Sequence, residues 1–391
     1  MIPQLRIALI ALALLPITAS AQLQYGYSTF VHGLNDNSAR FTTPNTAGLL
    51  GPMVDLKNSQ FPSLNGSLSI DSQANNLFNY IAPDQGGQHV LVGLSMGGLT
   101  SRYTYFSHPA LISGIIAVAT PHQGAPIADN ASLAAGYFAD QVTGFFDTVI
   151  DIVLRPSAGG LLSAVVVAML RVFGLEYLNG RIVAFLNAEF GVKGAGLHDI
   201  KTSSPTIATL GSQLEAIPFA NVLGTVGRRN AAFRVGFSAL YDDAGFEPAM
   251  GRKNMVKSAV KMCRQIGYNI IVRTSVGRMC NQIDNSIGSI DDRWAFFTMG
   301  ASDKRNPDAT FDGLVPTSRS RYPGTTLSDP TVNFRAPTVN HMNIQYNPLG
   351  INRIAEAMLQ IGMGAGPGSP PPPPPPPSPC QPVPPQVSCE S

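Results

Sequence analysis

The chain has few charged residues and no block of like charges. Charged residues make up 13% of its 391 positions and apolar residues 44%, and the formal net charge is +2. This composition excludes disorder over most of the length, because so apolar a chain can bury a core. The absence of a basic cluster argues against a nucleic-acid partner. The length accommodates one large α/β domain or two smaller ones.

The sequence also lacks an apolar run long enough to span a bilayer. Its N-terminal run, residues 7–17, is too short, and it lies between Arg6 and the small-residue triplet Ala19-Ser20-Ala21. This is the layout of a cleavable signal peptide. We therefore expect residues 1–21 to be removed after Ala21, and the mature protein to be secreted or periplasmic.

Cysteine is scarce, and its spacing argues against a metal site. The chain has four cysteines and no CxxC pair, so zinc is disfavoured. Export favours disulfides, and four cysteines allow three pairings. Sequence proximity favours Cys263 with Cys280 and Cys380 with Cys389.

The C-terminal segment departs from the composition of the rest. Eight consecutive prolines, Pro370–Pro377, favour an extended polyproline helix. We interpret residues 22–363 as the main domain, 364–379 as a proline-rich linker and 380–391 as a short tail.

Alternating strand and helix patterns occupy the first third of the main domain. Strands are predicted over Tyr27–Gly33, His89–Leu94 and Gly114–Pro121, and helices over Ile70–Ala82 and Leu99–Phe106. Strand runs that are apolar throughout are typical of a parallel sheet covered by helices on both faces. The predicted fold class is therefore α/β.

Two stretches interrupt this rhythm and are predicted to be insertions, about 127–215 and 228–298. The first contains the apolar segment Gln141–Leu178, which favours helices of a core or of a mobile cover. Between the insertions, Phe219–Gly227 has the pattern of a return to the sheet.

The stretch VGLSMGGL, Val92–Leu99, places Ser95 between Gly93 and Gly97 at the predicted strand-to-helix junction. A serine with glycines two before and two after, in that context, is typical of a nucleophile elbow. The turn would lift the Ser95 hydroxyl above the carboxyl edge of the sheet, beside the N-terminus of the next helix. The alternative is a glycine-rich turn in an unrelated α/β protein.

A serine nucleophile needs a base, and the base needs an orienting acid. In α/β proteins that carry such a nucleophile elbow, the triad residues follow one another along the chain in the order Ser, acid, His. Of the six histidines, His341 lies far enough along the chain to be the base. Asp312 is the predicted acid, with Asp308 as its substitute and the pair His198 and Asp199 as a weaker alternative.

The oxyanion of the intermediate needs two donors. We expect the backbone N–H of Met96 and the backbone N–H of Leu34, in the loop FVHGLND. His32 in that loop and His122 in ATPHQGAP are expected to be structural rather than catalytic.

These motifs together resemble the α/β-hydrolase superfamily, in particular its secreted lipase and esterase branch. The resemblance rests on the GHSMGG-type elbow, the TPHxG loop, the DGxVP acid loop and a D-x-x-x-x-S-P segment at His198–Leu210, and it covers about half of the chain. It implies Ser95, Asp312 and His341 as the triad, and Leu34 and Met96 as the oxyanion hole. The chain departs from the family at Leu94, where a histidine often precedes the nucleophile.

The resemblance implies an α/β-hydrolase fold with a helical cap, and hydrolysis of carboxylic esters through an acyl-enzyme. The apolar cap segment favours lipid-like esters and contact with a lipid interface. No cofactor is expected; some lipases of this type bind a structural calcium near the histidine loop, but Asp329 there lacks a carboxylate cluster. Three alternatives stay open: a polyester depolymerase, favoured by the proline-rich tail; an acyltransferase; and a binding protein that has lost activity.

Overall fold

The computed structural model describes residues 27–34, 41–51, 67–83, 88–134, 194–228, 275–306 and 309–363, with single positions between some of these ranges. Over these ranges one parallel sheet carries helices on both faces. No helix in them is both long enough and apolar enough to cross a membrane.

The sheet has five parallel strands whose spatial order equals their order in the chain. Each strand therefore returns to its neighbour through a crossover, as parallel pairing requires. The strands are β1 Tyr27–Val31, β2 His89–Leu94, β3 Ile112–Val118, β4 Phe219–Thr225 and β5 Asn333–Pro337.

Helices supply the crossovers and cover the sheet. They are α1 Pro44–Leu50, α2 Ile70–Ile81, α3 Met96–Ser107, α4 Pro126–Asp129, α5 Ala195–Asp199, α6 Pro205–Gly211, α7 Ser275–Arg305, α8 Thr317–Ser320 and α9 Pro348–Gln360. Side chains cap several of them: Ser69 accepts from the Ser72 N–H ahead of α2, and Asn347 accepts from the Leu349 N–H ahead of α9. Helix α7 is interrupted at Gly300, where φ is 73°.

Successive residues of a strand face opposite sides of the sheet, so the sheet separates two apolar cores. Every residue of β2 is buried. Leu91 packs in one cluster with Leu77 and Leu99, whereas Val90 and Val92 pack in the other with residues of α9. Burial on both faces explains why β2 and β3 are apolar except at His89 and Ser113.

The predicted α/β class is confirmed: the described residues form a parallel sheet flanked by helices. The predicted bounds of the strands and helices differ from the observed bounds by a few residues. β1 and β3 end earlier than predicted, because His32 and Gly33 begin a loop and Ala119 takes a φ of 50°. Strand β5 and the helices α1 and α4 to α9 were not individually predicted.

Several predictions concern residues outside those that the structure describes. They are the signal peptide 1–21, Cys263, the side chain of Cys280, the linker 364–379, and the tail 380–391 with Cys380 and Cys389. The apolar segment Gln141–Leu178 and most of the second insertion also lie outside. The cap and the disulfides therefore stay predictions.

Candidate active site

Ser95 lies at the junction of β2 and α3 in a strained backbone conformation. Its φ is 54° and its ψ is −123°, a region that non-glycine residues rarely occupy. Strain of this kind costs about 1–3 kcal/mol and persists where the surroundings over-determine it. Here the Ser95 N–H donates to the Val118 carbonyl at 2.7 Å, and the Gly98 N–H donates to the Ser95 carbonyl at 3.1 Å.

The glycines of the elbow allow three backbone segments to meet. A Cβ on Gly97 would lie 2.2 Å from the Val31 carbonyl oxygen, and one on Gly93 would lie 2.5 Å from the Gly97 carbonyl oxygen. Both distances are far below van der Waals contact, so any larger residue would push α3 away from β1. The GxSxG spacing is thus a packing requirement of this turn.

The structure brings the three predicted triad residues together. His341 Nε2 lies 2.9 Å from Ser95 Oγ, and His341 Nδ1 lies 2.7 Å from Asp312 Oδ2. An ionised carboxylate only accepts, so Nδ1 carries the proton and Nε2 is free to accept from the Ser95 hydroxyl. Asp312 and His341 are buried, while Ser95 is partly exposed. A partly exposed hydroxyl backed by a buried imidazole and carboxylate can be deprotonated as it attacks a substrate.

Asp312 lies in a tight turn outside the five-stranded sheet. Phe311 forms isolated antiparallel bridges with Val226, just beyond β4, and with Pro316. Within the turn, Asp312 Oδ1 accepts from the N–H groups of Leu314 at 2.9 Å and Val315 at 2.7 Å. The turn forms because Gly313 takes a φ of 101° and reverses the chain.

The histidine loop is fixed to this acid turn through its backbone. The His341 N–H donates to the Asp312 carbonyl at 2.8 Å. On either side, the Asn343 side chain accepts from the Asn340 N–H, and the Asn340 side chain accepts from the Met342 N–H. His341 is therefore held by its main chain as well as by its imidazole.

The two predicted oxyanion donors lie next to the nucleophile. Met96 is the first residue of α3, where the backbone N–H has no acceptor within the helix. Leu34 follows Gly33, and a Cβ on Gly33 would lie 3.2 Å from Ser95 Cβ. The loop after β1 thus packs against Ser95 and against the first turn of α3, where a Cβ on Gly97 would lie 2.5 Å from the His32 carbonyl oxygen. The donor roles of Leu34 and Met96 remain proposals.

His122 belongs to a buried polar network, as its expected structural role requires. Its Nε2 donates to Asn221 Oδ1 at 3.4 Å, and its Nδ1 lies 3.3 Å from Arg102 Nη1. Burial, followed by the charge of Arg102, holds the pKa of His122 well below its ordinary value. Arg102 also pairs with Glu215 at 2.6 Å, with neither side chain exposed. His122 is thus a neutral structural group.

The other sequence candidates have structural partners or lie outside the described residues. Asp199 accepts from the Ile70 N–H at 2.7 Å and from the Thr206 hydroxyl at 3.1 Å, which ties α2 to α6. Asp329 accepts from the N–H and hydroxyl of Thr331. Asp308 is not described. Across the described ranges, no three acidic, histidine or cysteine side chains gather as metal ligands would.

Sequence reasoning missed two kinds of residue around the site. The first is the charged network of Arg102 and Glu215, which no motif marks. The second is Trp294 of α7, whose Nε1–H donates to the Gly313 carbonyl at 2.5 Å. Trp294 is the single tryptophan of the chain, but this fact alone does not indicate that it contacts the turn of the catalytic acid.

Comparison with known proteins gives short sequence matches. No family model matches the chain. Over 84 residues it is 33% identical to triacylglycerol lipases of Pseudarthrobacter phenanthrenivorans and Burkholderia plantarii. These matches cover 22% of this chain and 20% and 18% of the relatives, so the chain spans about a fifth of their length.

Solved structures give remote likenesses. The mature lipase BlEst2 of Bacillus licheniformis shares 15% identity at a TM-score of 0.38, with 86% of this chain and 91% of that chain covered. The phospholipase PlaB of Legionella pneumophila shares 14% identity at a TM-score of 0.31, with 51% and 39% covered. Likenesses at this level assign no activity.

Proposed function

We propose that the protein is a serine hydrolase of carboxylic esters, with Ser95 as nucleophile, His341 as general base and Asp312 as the orienting acid. The observation that carries the proposal is the continuous chain of hydrogen bonds from Ser95 Oγ through both imidazole nitrogens to Asp312 Oδ2, at 2.9 Å and 2.7 Å. It begins at a strained serine, and strain of this kind concentrates at functional sites.

In the first half-reaction, His341 Nε2 takes the Ser95 proton as Oγ attacks the ester carbonyl carbon. The carbonyl oxygen becomes an oxyanion that accepts from the Met96 and Leu34 N–H groups. Asp312 stays ionised and stabilises the imidazolium. His341 then gives its proton to the leaving alcohol, the carbon–oxygen bond of the ester breaks, and the acyl group remains on Ser95.

In the second half-reaction, water attacks the acyl-enzyme with His341 again as base. The carboxylic acid leaves, and Ser95 recovers its proton. No cofactor enters this account, because the serine, the imidazole and the backbone donors supply nucleophile, proton transfer and charge stabilisation.

The substrate is proposed to be a lipid-like ester. Residues within two positions of the triad, or in the oxyanion loop itself, carry apolar side chains that belong to one core cluster: Leu34, Met96, Leu314 and Met342. An apolar surround of this kind favours an acyl chain over a charged substrate. The names of the short-match relatives, which are triacylglycerol lipases, agree with this choice. Export through residues 1–21, and contact of the cap with a lipid interface, complete the proposal.

The direct test is hydrolysis of p-nitrophenyl esters from acetyl to palmitoyl by the protein without residues 1–21, beside its Ser95→Ala variant. We expect Ser95-dependent release of p-nitrophenol with an optimum at medium or long acyl chains. An optimum at the acetyl ester would contradict the lipid-like substrate and indicate that the protein hydrolyses short-chain esters.

Other outcomes separate the alternatives. Equal inactivity of wild type and Ser95→Ala on every ester, with activity on a polyester film, would favour the depolymerase. Preferential transfer to an added alcohol over release of the free acid would favour the acyltransferase.

A further inference from the structure

The acid turn receives a contact from the second insertion that the proposed mechanism does not use. Trp294 lies on α7, is buried, and donates its indole N–H to the carbonyl of Gly313 at 2.5 Å. Gly313 directly follows Asp312 in the chain. An element outside the sheet therefore makes a polar contact one residue from the proposed catalytic acid.

The carbonyl that accepts from Trp294 and the N–H that donates to Asp312 belong to one rigid peptide group. The Gly313 carbonyl and the Leu314 N–H are the two ends of a single planar peptide group. Trp294 binds the carbonyl end, while the N–H end donates to Asp312 Oδ1 at 2.9 Å. Fixing one end of the plane fixes the direction of the other. A hydrogen bond at the carbonyl also polarises the peptide and strengthens its N–H as a donor.

The contact from Trp294 adds to the hydrogen bonds within the turn in holding this plane. Gly313 takes a φ of 101°, and a glycine loses the most conformational freedom when it is ordered. Its neighbours crowd it on one side: a Cβ there would lie 2.5 Å from Val235 Cγ2 and 3.8 Å from Asn340 Cβ. Val235, like Trp294, comes from the second insertion.

Helix α7 is anchored on both sides of its break at Gly300. Before the break, on the side of Trp294, Asp291 Oδ1 accepts from the Ala232 N–H at 3.4 Å, and after it Asp303 makes two contacts. Arg228 Nη2 donates to the Asp303 carbonyl at 3.0 Å, and the Ser318 hydroxyl donates to Asp303 Oδ2 at 2.6 Å. Within the helix, the Thr298 hydroxyl donates to the Trp294 carbonyl at 2.7 Å. These contacts join α7 to the end of β4 and to the segment after the acid turn.

We propose that Trp294 is a positioning residue of the catalytic acid: its indole N–H orients the Gly313–Leu314 peptide, which in turn orients the Asp312 carboxylate toward His341. The inference rests on the proposed function for the role of Asp312. It gives the second insertion a part in the chemistry, since α7 completes the set of groups that fixes the triad.

The first test is a double-mutant cycle between Trp294→Phe and Asp312→Asn. The loss of one neutral hydrogen bond corresponds to about three- to tenfold in kcat. We expect Trp294→Phe to lower kcat by that factor with KM unchanged, because Trp294 acts through Asp312 and not on the substrate. In the Asp312→Asn background the same substitution should change kcat less than twofold. An equal loss in both backgrounds would overturn the proposal.

A second replacement guards against a packing effect of Phe. Because the chain has one tryptophan, biosynthetic incorporation of benzothienylalanine changes Trp294 alone. This analogue keeps the bicyclic shape and replaces the N–H with sulfur. We expect it to reproduce the kcat loss of Trp294→Phe, whereas full activity of the analogue-containing protein would contradict the role of the N–H.

A readout independent of turnover separates failure of this proposal from failure of the proposed function. The His341 Nδ1 proton, shared with Asp312, is observable by proton NMR at low field. We expect Trp294→Phe to shift or broaden it, and Asp292→Asn, at an exposed position of the same helix, to leave it unchanged. If the wild type hydrolyses no ester, the proposed function fails, and this resonance still decides the positioning role. An unchanged resonance in Trp294→Phe would overturn that role.

Discussion

Arg102 Nε lies 2.6 Å from Glu215 Oε1 in an ion pair of which neither side chain is exposed. Arg102 Nη2 donates to the carbonyls of Leu210 and Gln213, and Nη1 donates to His122 Nδ1. Glu215 in turn accepts from the Tyr322 hydroxyl, and burial followed by the charge of Glu215 raises the pKa of Tyr322 well above its ordinary value. This network joins α3, which begins at the nucleophile, to the segments on either side of β4.

Breaking this pair should be costly. Glu215→Gln leaves the Arg102 charge buried without a counter-charge, and we expect the free energy of unfolding to fall by about 3–5 kcal/mol. Chemical denaturation measures the change. The matched control is Glu356→Gln in the exposed pair with Arg353, where a loss below about 1 kcal/mol is expected. Equal effects in both variants would show that burial does not govern the pair.

The neutral state of His122 predicts a dependence of stability on pH. The pKa of His122 is lowered in the folded state. Below the ordinary value of 6.5, His122 therefore binds a proton in the unfolded chain but stays neutral in the folded protein. Stability is therefore present above that value and is lost as pH falls below it, by up to about 1.4 kcal/mol per pH unit. His122→Gln, whose amide can still donate to Asn221, should flatten this slope between pH 6.5 and 5. Parallel curves for wild type and variant would count against the assignment.

Gly97 is predicted to accept no side chain. A Cβ there would lie 2.2 Å from the Val31 carbonyl oxygen, so Gly97→Ala must separate α3 from β1 and displace Ser95 and the Met96 N–H. We expect activity to fall by more than a hundredfold, since misplacement of reacting groups by about 1 Å has that cost. Gly48→Ala in α1, where nothing lies within 4 Å, should keep activity and gain about 0.5–1 kcal/mol.

Asp312→Asn tests the orienting role of the acid. An asparagine cannot hold the His341 Nδ1–H tautomer as a carboxylate does, so Nε2 is no longer held ready to accept from Ser95. We expect kcat to fall by about 10⁴, the order found when the acid of such a triad is replaced by an amide. Asp292→Asn, at an exposed position of α7, is the control and should stay within twofold of wild type. A similarly small loss in Asp312→Asn would remove Asp312 from the triad.

The sequence was informative where local chemistry and periodicity agree. Ser95 could be located because close packing requires glycine at positions 93 and 97, which produces the recognisable GxSxG spacing. β2 and β3 could be located because strands buried on both faces are mostly apolar. His341 followed from chain order among six histidines.

Features that depend on distant contacts could not be predicted in this way. β5 has exposed and half-buried residues among buried ones, so it lacks the apolar run of a central strand. The acid turn depends on bridges from Phe311 to Val226 and Pro316, and the first of these spans 85 positions that carry no local pattern. The contact of Trp294 with Gly313 likewise joins two segments whose proximity only the fold creates.

The central claim is that Ser95 is a nucleophile activated by His341, and its most direct test is covalent labelling. The protein is treated with a p-nitrophenyl alkylphosphonate, and the modified peptide is located by mass spectrometry. The account predicts one adduct on Ser95, no adduct in Ser95→Ala, and labelling slowed by at least a hundredfold in His341→Ala. Labelling at another residue, or labelling of Ser95 at the same rate without His341, would contradict it.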